Sequence, residues 1–210
     1  MTQKKAVITG AGRGLGRALA LGLAEAGFLP LLIGRSPADL QQTADLVRQH
    51  YNVAAGVCGA DLSAPDQIAK ACRDILQDHS SIDVLVNNAA GWTEGPLENL
   101  TDTQIADQIS VTITAGILLA KHLKPVLKKT ATGAHVINIV SMGGLPNAAL
   151  VDGSVAFYAS KYGQAGMGDI LRQELKVDGI SVCNILPTGI LGDSTWFDDS
   201  ASLREKHGPG

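Results

Sequence analysis

The chain has little of what several protein classes require. Its 210 residues include three cysteines, 4% aromatic and 18% charged residues, and its formal net charge is −3. No basic tract and no cluster of Lys or Arg interleaved with aromatic residues occurs, so a nucleic-acid partner has no electrostatic support. The cysteines, Cys58, Cys72 and Cys183, are odd in number and lie in apolar stretches. They are expected to be reduced core residues, outside any disulfide framework or metal site.

Long hydrophobic runs are also scarce. No apolar run approaches the roughly 18 residues that span a bilayer. Residues 2–5 are polar, and the three apolar residues after them are too few for a signal peptide. No histidine cluster has metal-ligand spacing. We therefore expect a cytoplasmic protein that binds no metal, membrane or nucleic acid.

Apolar residues are plentiful, at 45% of the chain. That content can bury a substantial core, and the length suits one large domain better than two small ones. No internal repeat, low-complexity tract or linker interrupts the sequence. We predict a single domain over residues 1–210.

A glycine-rich turn at residues 9–16 organises the N-terminal part of the chain. The apolar run 6–8 predicts a strand, and Leu15, Leu19 and Leu23 then recur at helical spacing. Glycines let the backbone approach a phosphate, and the free N–H groups at a helix N-terminus attract an anion. A strand, a glycine turn and a helix in this order predict a pyrophosphate site. The alternative is a tight loop with no ligand.

The turn departs from the commonest dinucleotide fingerprint, Gly-x-Gly-x-x-Gly. Its Thr-Gly-x-x-x-Gly-x-Gly pattern resembles the turn that opens members of the short-chain dehydrogenase/reductase family. The resemblance implies cofactor contacts from Gly10, Gly14, Leu15 and Gly16.

Strand and helix patterns alternate along the rest of the chain. This rhythm predicts an α/β, Rossmann-type, doubly wound parallel sheet in three α/β/α layers, with a ligand crevice at the carboxyl ends of the strands. A capping box at residues 101–104 opens a long helix that Pro125 ends or kinks, and residues 63–66 predict another helix start. The later predicted strands are 28–33, 53–57, 82–86, 136–140 and 180–186.

The C-terminal stretch 189–210 is polar and glycine-rich, and we find no seventh strand in it, where the family has one. The C-terminal edge of the sheet is therefore predicted to be short, either unpaired or completed by a partner. Either the chain is naturally short or it is a fragment. Residues 189–210 are expected to contribute to the substrate pocket.

The residues near the second strand end favour NADP over NAD. An acid there would bind the ribose 2′-hydroxyl, but Gly34 and Arg35 occupy the position. Arg13, inside the glycine turn, supplies a second guanidinium, and two such groups can hold a 2′-phosphate bidentately. The alternative is a pair of solvated arginines.

The resemblance implies further cofactor contacts after the third, fourth and sixth strands. Asp61 and Leu62 would lie against the adenine. The stretch 87–91 resembles the family's Asn-Asn-Ala-Gly, with Ala90 in the glycine position. The remaining contacts implied are Asn88, Ala89, Pro187 and Ile190, together with Lys161.

The catalytic signature of the family is incomplete here. Reduction of a carbonyl needs a hydroxyl that polarises the oxygen and an acid that protonates it. Ser141 and Lys161 match the family's serine and lysine, but Phe157 stands where Tyr-x-x-x-Lys requires tyrosine, with Tyr158 one residue later. Thr112 stands at the family's asparagine position, and the segment 143–156 is about three residues longer than usual.

Two interpretations remain open. In one, Tyr158 acts as the acid with Ser141 and Lys161 in an NADP-dependent oxidoreductase that transfers hydride between NADPH and a carbonyl or alcohol. In the other, Phe157 replaces the acid, Lys161 holds the nicotinamide ribose, and the protein binds NADP(H) without turnover, as a sensor or subunit partner. We favour the enzyme because Ser141 and Lys161 are retained.

The partner predicted is a small carbonyl or alcohol of unassigned identity. Trp92 and Trp196 either line an apolar substrate cleft or pack under loops. The resemblance also implies a homodimer or homotetramer built on the helices that contain Thr112 and Lys161.

Overall fold

The computed structural model describes residues 3–146 and 153–188. Its strands are β1 Lys5–Thr9, β2 Leu29–Gly34, β3 Gly56–Gly59, β4 Val84–Asn87, β5 Ala134–Ile139 and β6 Ile180–Ile185. Its α-helices are α1 Gly14–Glu25, α2 Pro37–Tyr51, α3 Pro65–Asp78, α4 Asp102–Ile109, α5 Ala115–Leu127 and α6 Val155–Leu175. A π-helical segment, Ser110–Thr114, joins α4 to α5. Short 3₁₀ turns span Leu97–Asn99, Met142–Gly144 and Lys176–Asp178.

The six described strands form one parallel sheet in the order β3-β2-β1-β4-β5-β6. The strand order reverses between β1 and β4, which is where ligands bind in sheets of this kind. The predicted Rossmann-type fold is confirmed. In the described residues β6 is an edge strand, and the prediction about a seventh strand concerns residues outside them.

The sheet is covered on both faces, and β1 shows why. Its side chains alternate: Val7 packs into one core cluster, while Ala6 and Ile8 pack into the other. The first cluster includes residues from α3 and α5, and the second includes residues from α1 and α2. The central strands β1, β2 and β4 are buried on both faces and read as continuous apolar runs, whereas the edge strands β3 and β6 carry exposed side chains.

One predicted boundary is wrong, and two predictions of helix ends hold only in part. β3 starts at Gly56, because Asn52 ends α2 in the left-handed conformation (φ 54°) and residues 53–55 are needed to reach the sheet. Pro125 lies inside α5, which continues to Leu127, so it does not end the helix, and the alternative of a kink stays a prediction. α3 begins at Pro65, within the predicted start 63–66, but its N-cap is Ala64 and makes no side-chain bond, because the Ser63 hydroxyl bonds to Asp61. The capping box of Thr101 and Gln104 is confirmed.

The continuous helix Asp102–Leu127 is long and apolar enough to cross a membrane by length and composition alone. In this fold it packs against α3 and α6, and core helices pass the same test. The cysteines are all free, as expected. Cys72 is buried and Cys58 half-buried, but Cys183 is exposed on β6, so its prediction as a core residue is wrong.

Candidate dinucleotide and catalytic site

The glycine turn depends on glycine at several positions. Gly10 (φ 65°) and Gly14 (φ 52°) have left-handed backbones that L side chains rarely adopt. A Cβ on Gly16 would overlap the carbonyl oxygen of Gly10. These constraints fold residues 10–16 tightly over the end of β1.

Thr9 fixes the turn against the neighbouring strand. Its buried hydroxyl donates to the Val86 carbonyl (3.2 Å) and accepts from the backbone N–H groups of Asn88 (2.9 Å) and Ala89 (3.0 Å). The Asn88 amide returns a bond to the Thr9 carbonyl at 2.8 Å. The glycine turn and the loop after β4 are therefore held together as one unit.

A second clamp, which the sequence reasoning missed, comes from α1 and α2. The Arg17 guanidinium donates to the Gly12 carbonyl and to the Thr43 hydroxyl (3.1 Å), and that hydroxyl donates to the Ala11 carbonyl (3.0 Å). Thr43 is fully buried although it is polar. A threonine on the apolar face of α2 was the available signal, because buried hydroxyls require a partner.

A cavity of about 630 Å³ lies over the glycine turn. Arg13 and Arg35 are exposed at its wall, and α1 starts there with no side-chain cap, whereas α2, α4 and α6 are capped by Ser36, Thr101 and Ser154. Uncapped N–H groups and two guanidiniums are a suitable surface for an anion. The predicted contacts brought together here are Gly10, Arg13, Gly14, Leu15, Gly16, Arg35, Asp61, Leu62, Asn88 and Ala89.

Asp61 is part of this wall in its charged form. The backbone N–H of Ser63 is the main cause that lowers the pKa of the Asp61 carboxyl, and the Ser63 hydroxyl and the charge of Arg35 lower it further. Leu62 beside it is buried. Of the other predicted contacts, the Pro187 carbonyl accepts from Met142 N–H (3.0 Å), and Ile190 lies outside the described residues.

Ser141 and Tyr158 flank the same glycine at the end of β5. A Cβ on Gly143 would lie 2.9 Å from Cε1 of Tyr158 and 3.5 Å from the Ser141 hydroxyl oxygen. Ser141 also accepts from the Gly143 N–H at 3.1 Å. The tyrosine ring and the serine hydroxyl therefore occupy one small region.

Lys161 is buried with its ammonium group. Its Nζ donates to the Ile139 carbonyl and to Oε1 of Gln164, each at 3.0 Å. Burial lowers the pKa of Lys161 from 10.5 to about 8. Desolvation produces this change because the charged form loses more hydration than the neutral form.

Phe157 has a packing role in the described structure. Its ring is buried and makes an edge contact with Trp92, with centroids 4.6 Å apart and an interplanar angle of 64°. Trp92 is 57% exposed and lines the cavity, whereas Trp196 lies outside the described residues. Phe157 thus connects the cavity wall to α6.

The π-helical segment carries Thr112, the residue at the family's asparagine position. Such segments often mark functional sites. The Thr112 hydroxyl accepts from Nε2 of Gln108 (3.3 Å), which also donates to Ser160 (3.0 Å). Gln108 is buried and lines the cavity, and the sequence reasoning missed it.

A family model described as short chain dehydrogenase matches residues 4–201. The chain therefore belongs to the short-chain dehydrogenase family. It is 31% identical over 186 residues to the very-long-chain 3-oxoacyl-CoA reductase of Coprinopsis cinerea, covering 86% of this chain and 52% of that protein. It is 27% identical over 193 residues to the 3-oxoacyl-[acyl-carrier-protein] reductase FabG of Staphylococcus epidermidis. The matched region covers 91% of this chain and 77% of that protein.

Solved structures of short-chain dehydrogenases and oxidoreductases are also similar to this chain. A metagenomic short-chain oxidoreductase in complex with NADP has a TM-score of 0.80 and 33% identity, covering 88% of this chain and 81% of its own. A short-chain dehydrogenase from Sphingobium yanoikuyae in complex with NADPH has a TM-score of 0.78 and 28% identity. The match covers 89% of this chain and 71% of that chain. The chain spans about half to two-thirds of some curated relatives, 52% in the fungal reductase and 66% in ketoacyl reductase 1 of the granaticin polyketide synthase.

Proposed function

We propose that the protein is an NADP-dependent oxidoreductase that transfers a hydride between NADPH and a carbonyl or alcohol. One observation carries the proposal: a single cavity is lined by the glycine turn, Arg13 and Arg35. Family membership and the two NADP-bound structures of similar proteins support the choice of cofactor.

The cavity residues suit an anionic dinucleotide. Gly10 and Gly14 have left-handed backbones, Gly16 has no room for a Cβ beside the Gly10 carbonyl, and the uncapped start of α1 favours a pyrophosphate. Arg13 and Arg35 would hold the 2′-phosphate. When bound, NADPH supplies the hydride.

Two of the groups proposed for acid–base work, Ser141 and Tyr158, have atoms next to Gly143, which supports their pairing. The Ser141 hydroxyl would polarise the substrate carbonyl, and the Tyr158 hydroxyl would donate the proton to its oxygen. The Lys161 ammonium, one turn along α6, would stabilise the phenolate left on Tyr158.

The alternative, NADP(H) binding without turnover, is kept because of Phe157. This ring occupies the position four residues before Lys161 and cannot donate a proton. The Phe157 ring is buried against Trp92, so the helix α6 packs with a phenyl group at the position where the family has its tyrosine.

Turnover assays decide between the two functions. Oxidation of NADPH is followed by its absorbance with ketones, aldehydes and 3-oxoacyl thioesters, the last chosen because several relatives are named as ketoacyl or 3-oxoacyl reductases. Tyr158→Phe and Lys161→Ala should each reduce kcat roughly 10²- to 10⁴-fold. NADPH binding with no turnover in the wild type, together with turnover gained in Phe157→Tyr, would establish the alternative.

Four further expectations remain part of the proposal: one domain over residues 1–210, a cytoplasmic location, no membrane or nucleic-acid partner, and a homodimer or homotetramer. The last is implied by what is common in the family. Sedimentation velocity with and without NADPH measures the mass, and a monomer at every concentration would remove the oligomer from the proposal.

A further inference from the structure

The buried ammonium of Lys161 is held by neutral oxygens. Two of its three N–H groups donate hydrogen bonds, one to the Ile139 carbonyl and one to Oε1 of Gln164. Among the causes that displace its pKa there is no carboxylate, only burial. Gln164 is the one side chain that the described structure records as an acceptor for this ammonium.

Gln164 is itself held in one orientation. It is 0% exposed, and its Nε2 faces the Asn87 carbonyl at 3.5 Å. Since Oε1 accepts from an ammonium, which only donates, and Nε2 faces a carbonyl, which only accepts, a flipped amide would lose both contacts. The two ends of this amide are therefore assigned by their partners.

The contact at Asn87 continues as a chain of side-chain amides across the sheet. Asn87 donates to Asn138, Asn138 donates to Asn184, and Asn184 donates to the Ala165 carbonyl, with distances of 2.9, 2.9 and 3.0 Å. A carbonyl can only accept, so this last bond fixes the direction of every amide in the chain. Oδ1 of Asn87 has no partner among the described groups. Because Ala165 follows Gln164 on α6, the chain returns to the helix that carries Lys161.

A buried glutamine is costly unless its hydrogen bonds are made. Methionine has a similar length and would fill the same space without that requirement. Packing alone therefore gives no reason for an amide at position 164. The ammonium of Lys161 gives one, because it needs a hydrogen-bond acceptor there.

We infer that Gln164 is the positioning residue for Lys161: its side-chain carbonyl oxygen, together with the Ile139 carbonyl, holds the ammonium at the end of β5. The inference rests on the proposed function for its catalytic consequence only. Because glutamine is neutral, it holds the ammonium without cancelling the charge that would act on Tyr158. A glutamate at this position would cancel it.

The titratable groups around Lys161 in residues 3–146 and 153–188 come mainly from its own helix. On α6, Tyr158 and Tyr162 lie within one turn of it. The recorded partners of the Lys161 ammonium are the Ile139 carbonyl of β5 and the Gln164 side chain, and the 3₁₀ turn Met142–Gly144 packs against its backbone without a charged group. Burial alone lowers the Lys161 pKa, with no contribution from a neighbouring charge. A changed Lys161 titration in a Gln164 variant would therefore report on position 164.

The test uses Gln164→Met, Gln164→Glu and the matched control Gln173→Met, which makes the same change at an exposed position of α6. Lysines labelled with ¹³C at Cε are titrated by NMR, and Lys161→Arg assigns the signal. We expect the Lys161 pKa to fall in Gln164→Met, to rise in Gln164→Glu and to stay unchanged in Gln173→Met. Unchanged values in both Gln164 variants would overturn the inference; if the methionine variant does not fold, the glutamate variant decides alone.

Kinetics supply the second measurement. Gln164→Met should lower kcat roughly ten- to a hundredfold, because a misplaced catalytic group has an effect of that size, while the Kd for NADPH changes less than about twofold. A lower melting temperature with unaltered kcat would show a purely structural role. A wild type without turnover would refute the proposed function but leave the NMR result standing, so the two failures are distinguishable.

Discussion

Lys161 shows how burial changes a single residue. Its pKa is about 8 in the folded chain, against an ordinary value of 10.5, so between these values the unfolded chain binds a proton that the folded chain does not. Stability therefore rises with pH across this window. Below pH 8 the Lys161 amine is charged in both the folded and the unfolded chain. It then makes no contribution to the change of the unfolding free energy with pH.

The corresponding prediction compares the wild type with Lys161→Met, which does not titrate. The free energy of unfolding of the wild type, relative to the variant, should increase by about 3 kcal/mol from pH 8 to pH 10.5. Urea unfolding across this range measures it. A difference that is flat with pH would mean that Lys161 titrates as an exposed lysine does.

Arg13 and Arg35 carry the prediction on cofactor choice. Arg35→Ala and Arg13→Ala should each weaken NADPH binding about tenfold or more, the loss of one charge-assisted contact, and leave NADH binding unchanged. Isothermal titration calorimetry with both cofactors measures this, with the exposed Arg48 of α2 changed to Ala as the control. Equal losses for NADPH and NADH would contradict a contact with the 2′-phosphate.

At the scale of elements, the site depends on how β1 and β4 are joined. The Thr9 hydroxyl satisfies two backbone N–H groups of the loop after β4. Thr9→Val keeps the shape but leaves those groups without their acceptor. The expected loss in unfolding free energy is about 2–4 kcal/mol, with weaker NADPH binding.

Chemical denaturation of Thr9→Val, beside the exposed control Thr132→Val, measures this effect. If both variants retained wild-type stability, water would have to replace the hydroxyl at Asn88 and Ala89.

At the scale of the whole molecule, cofactor binding should be visible as stability. A ligand that binds only the folded state at 100 times its Kd adds about 2.7 kcal/mol, which for a chain of this size corresponds to about 5–10 °C in melting temperature. Differential scanning fluorimetry should show such a rise with NADPH and a smaller one with NADH at the same concentration. No rise with either cofactor at millimolar concentration would argue against the proposed function as a whole.

The sequence by itself determined the order of strands and helices, because apolar periodicity and glycine or proline breaks are local properties. It also placed the glycine turn and the two arginines, since these follow strand ends that parallel pairing brings to one edge. The boundary error at β3 and the continuation of α5 beyond Pro125 arose where a cap or a packed helix outweighed local preference.

Only the tertiary structure decided which distant side chains meet. The Arg17 and Thr43 clamp, the Gln108 network and the contact between Gln164 and Lys161 join elements that no local pattern relates. The register of α6 against Gly143 likewise brought Tyr158 beside Ser141 and packed Phe157 on Trp92. The physical reason is that a buried polar group takes its partner from whichever neighbour the packing of helices on the sheet supplies.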